Sequence, residues 1–157
     1  MIYFFITIQC ILFFFMAFHD WVDIPPFTNL AALKKAHSLK SRLIGSFVNA
    51  TLVFIPLIVA FLYLASPLPL WAHLLFVGVY GLITFGTITA WWIPYLGGGY
   101  WVHGNKAGFE EYQNTHSLLP TIGDNVVPNT LHVILHIQVW ICFGLSLYWL
   151  CMGGWNL

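Results

Sequence analysis

Two histidines, His132 and His136, are four residues apart, which is the spacing in this sequence best suited to binding a metal ion. Residues four apart lie on the same face of an α-helix, so both imidazole rings can approach one ion. A catalytic metal commonly takes three protein ligands and keeps one position open for water or substrate. We therefore predict that this helix face binds a divalent metal, zinc or iron.

Further ionisable side chains fall close to the same end of neighbouring apolar segments. The candidate metal ligands that would complete the site are His19, Asp20 and His116, and the candidate catalytic carboxylates are Glu110, Glu111 and Asp124. A carboxylate beside a metal can act as a general base or hold a histidine ligand in place. The same residues also suit a structural role, in which the histidines order a loop and Asp124 belongs to a turn.

Three polar residues are candidates for binding a substrate. Asn129 falls on the helix face of the two histidines. Asn49 is an amide inside an apolar run, where the alternative is a hydrogen bond between helices. Arg42 immediately precedes that run and suits a lipid phosphate or another anion, although anchoring of a cytoplasmic loop is the alternative.

The composition places these residues in a membrane protein. The chain has 157 residues, of which 60% are hydrophobic and 6% are charged, and its mean hydropathy is +0.84. Soluble domains carry about 25% charged residues, so this chain could not cover a surface that faces water. The lipid bilayer is thus the first predicted partner. A net charge of zero gives no electrostatic support for binding nucleic acid.

Four apolar runs predict an all-α fold, a compact bundle of four transmembrane helices that forms one domain over 1–157. Each run is close to or longer than the roughly 20 residues that a helix needs to cross the hydrocarbon core. The predicted spans cover residues 2–19, 43–65, 70–95 and 130–152, and two polar loops cover 20–42 and 97–128. Within the first loop, we predict a short helix over 30–41.

The basic residues predict the orientation of the bundle. All five lie in the two polar loops, as Lys34, Lys35, Lys40, Arg42 and Lys106. Loops rich in lysine and arginine stay on the cytoplasmic side of a membrane. We therefore predict that loops 20–42 and 97–128 are cytoplasmic and that both termini lie on the other side.

Two functions fit these observations. The first is a small metal-assisted enzyme that acts on a lipid or lipid-like substrate, which the clustering of ionisable residues on one side favours. The alternative is a non-enzymatic protein, either an accessory subunit of a larger membrane complex or a binder of a hydrophobic ligand. Small residues spaced along 78–90 favour the alternative, because they let helices of a homo-oligomer or complex approach closely.

Overall fold

The computed structural model describes residues 1–97, 111–112 and 114–152. Within these ranges the chain forms helices and no β-strand, which confirms the all-α prediction. The helices are α1 (Ile2–Phe18), α2 (Leu30–Ala36), α3 (Leu39–Leu62), α4 (Leu70–Thr87), a π-helical turn (Ile88–Trp92), α5 (Ile93–Gly97) and α6 (Thr130–Cys151).

Three helical segments are long and apolar enough to cross a membrane. They cover Leu39–Leu62, Leu70–Gly97 and Thr130–Met152, and the second joins α4, the π-helical turn and α5. Large apolar side chains cover their outer surface, and Phe47 and Leu62 are each 72% exposed. A surface of this kind suits lipid rather than water. The chain is therefore a multi-pass membrane protein, and α1, with 17 residues, is a shorter apolar helix beside the three spans.

Polar caps determine where two of the long helices begin. The Ser38 hydroxyl accepts a hydrogen bond from the Ser41 amide (3.2 Å), and the Asn129 side chain accepts one from the His132 amide (2.9 Å). Such caps satisfy backbone donors that have no partner inside the helix. The prediction of one helix over 30–41 is wrong: α2 ends at Ala36, and Ser38 caps α3, which begins at Leu39.

The core lies where α1 packs against α3 and α6, and where α4 packs against α6. The Phe5 side chain is fully buried there, with its ring 5.6 Å from that of Phe76 and 5.0 Å from that of Trp149. The buried Gln9 amide donates a hydrogen bond of 2.7 Å to the Tyr80 hydroxyl, which ties α1 to α4. Contact between α3 and α4 is less extensive, and a cavity reaches between them.

Candidate functional site

A cavity of about 660 Å³ is lined by residues of α1, α3, α4, the π-helical turn and α6. The α3 wall presents Arg42, Gly45, Asn49 and Leu52, which are three or four residues apart and so share one helix face. The volume falls within the range of about 300–1,000 Å³ that is usual for small-molecule sites.

Polar and apolar side chains line different levels of this cavity. His19, Asp20 and Arg42 lie at one level, near the end of α1 and the start of α3, and His132 joins them from the first turn of α6. Leu52 follows Arg42 by ten residues, which corresponds to about 15 Å along the helix axis. The cavity therefore has a polar end with the charged groups at these helix termini and a mainly apolar end deeper in the bundle, with the Asn49 amide between them.

Asn129 holds His132 in one tautomer. Its side-chain oxygen accepts hydrogen bonds from the His132 amide (2.9 Å) and from Nδ1 of the same ring (2.8 Å). The Asn129 amide group in turn donates to the Thr115 hydroxyl (3.2 Å), which fixes the orientation of the side chain. Because Nδ1 must carry the proton, Nε2 of His132 is the nitrogen left to accept a hydrogen bond or to bind a ligand.

Two tryptophans of the π-helical turn hold the helical histidines. Trp92 Nε1 donates a hydrogen bond of 3.0 Å to Nδ1 of His136, so the proton of the neutral ring resides on Nε2. The Trp91 ring lies 4.0 Å from that of His132. A π-helical turn is wider than an α-helical one and is often found at functional sites. We predicted neither role from the sequence.

This geometry bears on the predicted metal site. The rings of His132 and His136 lie 6.0 Å apart. Within the described part of the chain, no group of three histidine, cysteine, aspartate or glutamate side chains is placed to hold a metal ion. With Trp92 bound to Nδ1, His136 would have to give up its Nε2 proton to serve as a ligand. The zinc or iron site stays a prediction.

His19 and Asp20 form a pair at the polar end. His19 Nε2 lies 3.1 Å from a carboxylate oxygen of Asp20, and its Nδ1 lies 3.0 Å from the carbonyl oxygen of Phe15. Both ring nitrogens thus face oxygens that accept hydrogen bonds. These two contacts fix the ring beside the Asp20 carboxylate at the polar end of the cavity.

Glu111 and Tyr112 cover the polar end from the long loop. The Glu111 carboxylate is 5% exposed and accepts a hydrogen bond of 3.0 Å from His37 Nε2. The Tyr112 ring lies 4.8 Å from that of His132. Burial raises the pKa of the Tyr112 phenol above its ordinary value, and the charges of Glu111 and Asp20 raise it further. The phenol is therefore a hydrogen-bond donor at neutral pH.

Other candidate residues lie away from the large cavity. The His116 ring contacts the Thr130 hydroxyl (2.7 Å), an interaction that ties the loop to the start of α6. Asp124 is exposed in a turn beside Gly123, whose φ is 52°. Glu110 lies outside the described residues. Asn129 is buried as the cap of α6 and lines a smaller cavity of about 30 Å³ with His19, Asp20 and His132.

No family model matches this chain, and neither a curated protein nor a solved structure is significantly similar to it.

Proposed function

We propose that the protein binds a lipid or lipid-like amphiphile in the cavity between α3 and α4. The polar head would lie among His19, Asp20 and Arg42, and the chain would extend along Leu52 and Leu82. The observation that carries the proposal is the separation of polar and apolar wall residues along the helix axes. An amphiphile has the same division of polar and apolar parts, and each part would meet side chains of its own kind.

Binding is favoured over metal-assisted catalysis by the hydrogen bonds of the helical histidines. His132 is joined to the cap of α6 and His136 to Trp92, so each ring already stabilises the bundle. Catalysis needs several groups that converge on one reacting atom. The function proposed here needs only the shape and polarity of the cavity, which is the hydrophobic-ligand alternative considered from the sequence.

We also propose that α1 is a fourth span and that the polar end of the cavity faces the cytoplasm. Support comes from the buried side chains of α1, since Phe5 and Leu12 are both fully buried in the core. Loops 20–42 and 97–128 contain all the basic residues, which favours a cytoplasmic location for both.

The orientation can be tested with a thiol reagent that does not cross membranes. Cys151 is exposed at the end of α6, and a cysteine can be added ahead of Met1 in a Cys151→Ser background. Four spans place both thiols on the non-cytoplasmic side, so both should react from that side, whereas Lys35→Cys should react from the cytoplasm. Reaction of the two terminal thiols from opposite sides would contradict the fourth span.

Filling the cavity should abolish most amphiphile binding. A Cβ atom added to Gly45 or Gly86 meets no other atom within 4 Å, and both glycines line the cavity. Gly45→Leu and Gly86→Leu should therefore fold and place a side chain in the space of the ligand. We expect affinity for a long-chain monoacylglycerol, measured by native mass spectrometry in detergent, to fall about tenfold or more, since overfilling a packed site costs about 1–3 kcal/mol.

Two other glycines provide matched controls. Gly78 on α4 and Gly144 on α6 also have no atom within 4 Å of an added Cβ, and neither lines the cavity. Gly78→Leu and Gly144→Leu should bind the monoacylglycerol as the wild type does. Wild-type affinity in the two cavity variants would refute binding at this site.

A further inference from the structure

Arg42 is a buried cation at the polar end of the cavity. Its side chain is 6% exposed although it lines the wall, and a guanidinium group keeps its charge at any physiological pH. A buried charge is costly unless an opposite charge and hydrogen bonds compensate it. The contacts of Arg42 therefore indicate whether a ligand must compensate its charge.

Neutral groups hold the guanidinium in place. One terminal nitrogen donates a hydrogen bond to the backbone carbonyl of Asp20, and the group lies 4.4 Å from the centre of the Trp21 ring. Trp21 is itself held by a hydrogen bond of 2.9 Å from its indole nitrogen to the Ser46 hydroxyl. The Nε–H group of Arg42 is buried and has no hydrogen-bond partner among the described residues.

The nearby carboxylates are paired with histidines instead. Asp20 lies 3.1 Å from His19, and Glu111 lies 3.0 Å from His37. Across the ranges that the structure describes, no carboxylate lies within ion-pair distance of Arg42. A preorganised guanidinium without a carboxylate partner is suited to an oxyanion, which would supply the counter-charge.

We infer that the ligand carries an anionic oxygen head group and that the Arg42 guanidinium supplies its counter-charge. The inference rests on the proposed amphiphile site and specifies the class of its ligand. A single negative charge fits best, because Asp20 lies at the same end of the cavity and a second charge would be repelled. A phosphodiester or a carboxylate meets this requirement.

The test compares two probes with the same acyl chain, a lysophosphatidylglycerol and an uncharged monoacylglycerol, by native mass spectrometry in detergent. The wild type should bind the phosphodiester about tenfold tighter or better, as expected for a charge-assisted hydrogen bond. Arg42→Gln should lose this preference and still bind the uncharged probe. Lys40→Gln, which removes an exposed cation two residues away, should keep it.

Several results would overturn the inference. Equal affinity of the wild type for the two probes would do so even if Arg42→Gln failed to fold, and it would leave the proposed amphiphile site intact. Inorganic phosphate that binds as tightly as the lysophosphatidylglycerol would assign the site to a free anion. Failure of both probes to bind the wild type would refute the proposed function itself.

Discussion

Phe5→Ala should destabilise the folded protein by about 3 kcal/mol, at the lower end of the range for buried phenylalanines. The Phe5 ring is fully buried and packs edge-on against Tyr80 and Trp149, with centroids 6.1 and 5.0 Å away. Its removal leaves a cavity at the junction of α1, α4 and α6. Lipid is itself apolar, so lost packing accounts for more of the effect than transfer from water does.

The measurement is the free energy of unfolding in detergent, followed by helicity during titration with SDS. Phe4 offers a matched control, since it is the preceding residue on α1 and is 56% exposed. Phe4→Ala should change stability by no more than about 0.5 kcal/mol. Similar losses for the two variants would show that α1 does not pack into the core as described.

Asn129→Ala should cost about 2–4 kcal/mol of stability. The substitution removes the cap of α6, worth about 1 kcal/mol, and leaves the buried Nδ1–H of His132 without its acceptor, at about 1–3 kcal/mol more. Asn129 itself is 4% exposed, so water cannot easily replace the lost bonds.

Ser38→Ala separates the capping effect from the buried network. Ser38 caps α3 through one hydrogen bond and is exposed, so its loss should cost about 1 kcal/mol or less. The same SDS titration applies to both variants. A loss in Asn129→Ala no larger than that in Ser38→Ala would mean that the Asn129–His132–Thr115 network adds nothing to the cap.

These two residues also connect stability to the proposed site. Phe5 holds α1 in the core, and α1 carries His19 and Asp20 to the polar end of the cavity. Asn129 orients His132 and joins the start of α6 to the long loop through Thr115. A partial loss of either contact should therefore weaken amphiphile binding before the bundle unfolds.

Local features of the sequence determined the helices and their starts. In lipid, every backbone polar group must be satisfied within the chain, so long apolar runs have to form helices. The side chain of Asn129 caps α6 because it follows an irregular segment and precedes an apolar run, a local pattern that can be read directly. The i, i+4 spacing likewise placed His132 and His136 on one face, with rings 6.0 Å apart.

Tertiary packing decided which of these faces line a common cavity. The π-helical turn that brings Trp92 to His136 has no clear signature in the sequence, because it depends on how α4 packs against α6. The sequence left Arg42 open between anion binding and loop anchoring, and only the contacts with Trp21 and Asp20 show that it is buried in the wall of the cavity. Helical periodicity depends on nearby residues alone, whereas burial and cavities depend on distant segments whose approach no local pattern specifies.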